Sequence, residues 1–160
     1  LALKNLSTPS VLCLTRQNVD SIRKNYLKIN KCSFGAYEIL RTKKKINLTI
    51  LASGSEVNLA VGVCHKLAKD KIYSKVISMP CQEIFEKQST TYKNKILKET
   101  KFKISIEAGS TENWKKYIGT SGVSFGIDEF GRSAPYKKIF KYFKLTTEDI
   151  SKKIKKMILN

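Results

Sequence analysis

Arg16 is the residue whose chemistry stands out first. It is one of four arginines, with Arg23, Arg41 and Arg132, in a chain whose basic residues are otherwise lysine. Its neighbours Thr15, Gln17 and Asn18 all hydrogen-bond. A planar guanidinium just past a strand's carboxyl end suits a phosphate or carboxylate, and a surface arginine accounts for it equally well. Gly54-Ser55-Glu56 closes a strand and opens a helix, the place where free backbone amides often hold phosphate. It lacks the spacing of a dinucleotide or P-loop motif, and Glu56 would repel an anion there. Ser53 with Glu56 is better read as a capping box. Glu107 follows another strand, where it would either meet a ligand or stand as an ordinary solvated carboxylate. His65 flanks an apolar helical stripe with no nucleophile beside it and reads as a surface residue. Trp114 and Tyr117 read as packing residues. Asp128-Glu129 would pair with lysines or line an interface.

The elements that must position these residues alternate. Ser10–Leu14 is a short apolar run after Pro9 and reads as a buried strand. Residues 15–31 are polar, rich in Asn and Lys, and read as a linker, which puts a boundary near residue 30. Strands are expected at Ala36–Leu40, Leu48–Ala52, Lys75–Met79, Phe102–Ile106 and Val123–Ile127. Between them Val57, Ala60, Val61, Cys64, Leu67 and Ala68 have helical spacing. Ile84–Leu97 holds one or two short helices, and Trp114–Tyr117 a helical turn. Gly131–Pro135 is a loop. Pro135 suits the first turn of a helix through Phe143, since no amide donor is needed there. A last helix, Thr147–Leu159, is opened by Thr146 or Thr147 as N-cap. This order implies an α/β fold: a mostly parallel sheet of about five strands with helices on both faces, preceded by a short segment from a neighbouring domain.

Composition bounds the function classes. The chain has 160 residues, 41% hydrophobic and 28% charged, enough apolar material for a core. No apolar run reaches the ~18 residues of a membrane span. Leu1 to Asn5 shows neither an initiator Met nor a secretory pattern, and reads as the start of a piece cut from something longer. Lys+Arg total 31 against 13 Asp+Glu, a formal charge of +18. That balance would attract polyanions, and a stand-alone polyanion-binding module is one reading. The lysines are scattered, however, and the heavy use of Lys, Ile and Asn follows from AT-rich codons, so no nucleic-acid partner is expected. Cys13, Cys32, Cys64 and Cys81 lack zinc-site spacing. Cys13, Cys64 and Cys81 read as small core residues in a reduced, cytoplasmic compartment.

Read in order, these pieces resemble the C-terminal part of transketolase. Thr8 to Asn18 resembles the family's segment around Ser-Arg-Gln-Asn. Gly35-Ala36-Tyr37, Leu51 to Val57, Val76 to Pro80, then Phe85, Gln88 and Tyr92 resemble the next blocks. Glu107-Ala108-Gly109, Trp114, Tyr117, Gly126 to Asp128 and Phe130 to Pro135 complete the series. Three positions depart from the pattern: Thr15 stands for Ser, Lys144 for a usual Gly, and Cys81 for a small polar residue. The resemblance implies an enzyme that uses thiamine diphosphate and a divalent metal (Mg or Ca) to move a two-carbon ketol unit between sugar phosphates. Residues 1–30 would be the end of the pyrimidine-binding domain and a linker, and residues 31–160 the family's C-terminal domain. Arg16 would bind the substrate's phosphate end. The cofactor, its metal and the catalytic residues would lie in upstream transketolase domains, none of them on this segment, and the whole would be a homodimer. A related thiamine-dependent enzyme with a different acceptor shares the same resemblance.

Overall fold

A computed structural model describes residues 1–23 and 25–159. The strands are β1 (Tyr37–Arg41), β2 (Leu48–Ala52), β3 (Ser74–Ser78), β4 (Phe102–Ile106) and β5 (Val123–Phe125). They form a five-stranded sheet in the order β1-β3-β2-β4-β5. β2 to β5 run parallel, and β1 is the antiparallel edge, paired to β3 with an irregularity between Glu38 and Leu40. The α/β fold with a mostly parallel sheet is therefore the one the sequence implies.

Side chains alternate across the sheet, and each face gathers its own core. Leu48, Ile50, Ala52, Val76, Ile104 and Ile106 share one cluster with helix α1 (Glu56–Lys69) and the last helix, α6 (Thr147–Leu159). On α1 the inward stripe is Val57, Ala60, Val63, Cys64 and Leu67. On α6 it is Ile150 and Ile154, four residues apart and both fully buried. Thr146 Oγ1 accepts the Asp149 amide at 3.1 Å, so Thr146 is the cap of α6. Leu51 and Ile77 point the other way, towards Phe85 of α2 (Gln82–Glu86), Ile96 of α3 (Thr90–Leu97) and Tyr117 and Ile118 of α4 (Lys115–Ile118). Burial of each such side chain stabilises by roughly 2 kcal/mol. β2 is buried at every position because both faces are covered; all its residues are apolar except Thr49, whose hydroxyl meets Thr100 at 2.9 Å.

Gly35 locks the second layer to the sheet. Its φ is +74°, and a Cβ there would lie 2.2 Å from the Phe85 amide nitrogen and 2.5 Å from the Cys81 carbonyl oxygen. Only glycine permits both the conformation and the approach. Lys144 has φ +56°, just beyond α5 (Tyr136–Tyr142). The helix end needs a left-handed residue, which explains why glycine is usual in the pattern this chain resembles. Pro135 precedes α5 as its N-cap rather than sitting in its first turn.

Two expectations fail. Ser10–Leu14 forms no strand: Val11, Leu12 and Leu14 are 86%, 73% and 84% exposed. The sheet ends at β1 and β5, and no described strand pairs with this run, so its apolar character has nothing to fold against. Cys13 is exposed with it, and Cys81 is only half-buried; Cys64 alone of the three is a core residue, its Sγ accepting from Ser74 Oγ at 3.0 Å. The linker is irregular but docked. Ile22 packs on the first core, Arg23 lies 5.9 Å over the Tyr37 ring, and Asn58 Nδ2 donates to the Asp20 carbonyl at 3.3 Å.

Candidate functional site

Parallel strands end together, and here Ser53, Met79 and Glu107 directly follow β2, β3 and β4. From β2 the chain leaves through α1 to β3 on one side; from β4 it leaves through α4 to β5 on the other. Where neighbouring connections diverge, the carboxyl edge opens into a crevice. Ser53 and Glu107 flank that point and join across it: Ser53 Oγ donates to Glu107 Oε2 at 2.6 Å.

Ser53 is therefore no capping-box residue. The N-cap of α1 is Ser55, whose hydroxyl turns to Glu56 Oε1 at 2.6 Å instead of capping the backbone. Glu56 is 5% exposed in the helix's first turn, where the helix dipole favours a carboxylate. A second carboxylate, Glu107, lies close enough to feel it. Burial pushes the Glu107 carboxyl above its ordinary range, the Ser53 hydroxyl offsets part of this, and Glu56 adds to it. Two carboxylates beside this helix start leave no place for a phosphate.

The crevice is a cleft of about 400 Å³. Its floor is Ser53 and Glu107, one wall is Met79 to Glu83, and the other is Gly109, Ser110, Asn113 and Trp114. The second wall is pinned from behind. Asp128 accepts from both the amide and the hydroxyl of Thr111, each at 2.8 Å, which holds its carboxyl below the usual range. A Cβ on Gly126 would sit 2.7 Å from the Gly109 carbonyl, so this close pass requires glycine. Trp114 and Tyr117 are 3% exposed and pack as expected; their rings meet edge-on at 6.3 Å. A larger space of about 760 Å³ lies between the linker and Tyr37, Val57 and Ser78.

Arg16 lies elsewhere, exposed at a bend in the irregular segment before the sheet and outside the lining of the cleft. His65 is exposed on α1. Neither meets Glu107. The Ser53–Glu107 pair escaped the sequence reading, although a signal existed: both residues directly follow runs that read as strands. Adjacency of those two strands was the missing fact. Among the described residues no group of three His, Cys, Asp or Glu is placed to hold a metal, and the cleft presents no cation to a diphosphate. The residues here do not fit thiamine diphosphate with its metal.

Residues 35–146 match the family model described as the transketolase-like TK C-terminal domain. The chain is 37% identical over 156 residues to the transketolase of Aquifex aeolicus, covering 96% of this chain and 23% of that protein. It superposes on the solved transketolase from Leishmania mexicana with a TM-score of 0.83 at 36% identity, over 94% of this chain and 22% of the other. A split-gene transketolase, described as an inactive β4 tetramer, shares the fold with a TM-score of 0.68 at 14% identity, over 88% of this chain and 47% of that one. The chain thus spans under a quarter of the first two proteins.

Proposed function

The chain belongs to the transketolase family, as its C-terminal domain, and from that premise we propose that it serves as the C-terminal portion of an enzyme transferring a two-carbon ketol unit between sugar phosphates. The supporting observation is the match over residues 35–146, on a chain that aligns with only 23% of a full relative. Thiamine diphosphate would supply the carbanion chemistry, held with its divalent metal by upstream domains.

On this reading residues 1–30 finish the pyrimidine-binding domain. Val11, Leu12 and Leu14, exposed here, would enter that domain's sheet and bring Arg16 to its carboxyl edge. Arg16 would then grip the phosphate of the sugar, and binding energy at that remote group would orient the reacting carbonyl. The three-layered α/β unit would brace a cytoplasmic homodimer.

Reconstitution tests this. The chain is mixed with a polypeptide carrying the cofactor-binding and pyrimidine-binding domains of a relative, with thiamine diphosphate and Mg. Two-carbon transfer from a ketose phosphate is expected in the mixture and in neither component alone. A mixture in which the two associate without transferring would overturn the reading.

A further inference from the structure

We propose that the cleft between the ends of β2 and β4 is a binding site for a small polyhydroxylated amine, separate from any site for a sugar's phosphate. Charge carries the first step. In a chain with 31 basic residues, the cleft is lined by none, and it holds two carboxylates, Glu107 and Glu83. Lysines would be expected there if the cleft were merely a stretch of ordinary surface. An anion finds no counter-charge inside, whereas an ammonium finds Glu107 at the floor and Glu83 at the mouth.

Shape and polarity carry the second. About 400 Å³ lies within the range of small-molecule pockets, at the point of an α/β sheet where ligands bind. Ser53, Ser110 and Asn113 offer hydroxyls and an amide for a ligand's hydroxyl groups, and the largely buried Trp114 closes the second wall. Glu107 Oε2 is fixed by the Ser53 hydroxyl at 2.6 Å, which orients the carboxylate before any ligand arrives. Glu56, outside the cleft's lining, adds to the repulsion on Glu107, which a cation in the cleft would offset.

Trp114 is the chain's one tryptophan and reports on the cleft directly. The test titrates the chain with glucosamine, glucose and glucose 6-phosphate, following Trp114 emission and heat release in parallel. A saturable response to glucosamine alone is expected, weakened about tenfold or more by Glu107→Gln and less by Glu83→Gln. Circular dichroism establishes that each variant is folded; Glu83, being exposed, keeps the test decisive if Glu107→Gln does not fold. Absence of a saturable glucosamine response, equal affinity for glucose, or binding unaffected by both substitutions would each overturn the proposal. None of these outcomes bears on ketol transfer, which the reconstitution tests separately.

Discussion

The two edges of the sheet are built to opposite rules. At the amino edge a cluster of charges is mutually paired. Arg41 binds Glu38 through Nε and Nη2, at 2.9 and 2.7 Å, and Glu99 through Nη1 and Nη2, at 2.6 and 2.8 Å. Lys75, 1% exposed, donates to the same Glu99 at 2.9 Å. The Arg41 hydrogen bonds, with those of Lys75, pull the Glu99 carboxyl down to about 2. At the carboxyl edge, Glu107 has one hydroxyl partner, a second carboxylate nearby and a cleft in front. Charges that neutralise each other hold a fold together; charges left facing a cleft are available to something else. The amino edge is structural and the carboxyl edge is the candidate for binding.

The largest effect that could break this contrast comes from Glu99. Its replacement by Ala strands the buried Lys75 ammonium, and a loss of about 3 kcal/mol is expected in urea unfolding. A loss under 1 kcal/mol would mean the edge does not depend on the network. Lys75→Met instead removes the buried charge and leaves Glu99 with Arg41; a change within about 1 kcal/mol is expected by the same measurement.

Acidity sharpens the contrast, because the two carboxylates have opposite signs. The folded Glu99 value, about 2, lies below the ~4.3 of an unfolded glutamate. Its stabilisation is present above ~4.3 and is lost as pH falls towards 2. Glu107 is raised, so its contribution is present below ~4.3 and is lost as pH rises through its folded value. Melting temperatures of Glu99→Gln and Glu107→Gln against wild type, from pH 3 to 8, should therefore diverge in opposite directions. Glu107→Gln is expected to match or exceed wild-type stability at pH 7, as suits a residue kept for binding rather than folding. Parallel profiles would erase the distinction between the edges. The smallest effect lies away from both: Lys144→Gly relieves a φ of +56° and should raise stability by roughly 0.5–1 kcal/mol.

What the sequence made legible divides along similar lines. β2 coincides with the apolar stretch Leu48–Ala52, because both its faces are covered, and β4 with the alternating run Phe102–Ile106, whose Ile104 and Ile106 join the first core. The same pattern misleads at Ser10–Leu14, since an apolar run specifies a strand only where another strand pairs with it. Ser53 reads as a cap from its local spacing, and the longer-range bond to Glu107 takes its hydroxyl instead. Arg41 and Glu99, 58 positions apart, gave no local signal at all. The likeness to transketolase placed all the blocks in order, yet the residue it assigned a role, Arg16, lies on the segment that this fold leaves exposed.

Arg16 is accordingly where the functional reading is most directly tested. Two-carbon transfer by the reconstituted enzyme should be compared for Arg16 and Arg16→Ala, with phosphorylated and unphosphorylated sugars. Loss of the phosphate contact should lower kcat/KM for the phosphorylated sugar by about 2–4 kcal/mol, roughly 30- to 1000-fold, and leave the unphosphorylated sugar unchanged. An equal fall for both sugars, or no fall for either, would contradict it.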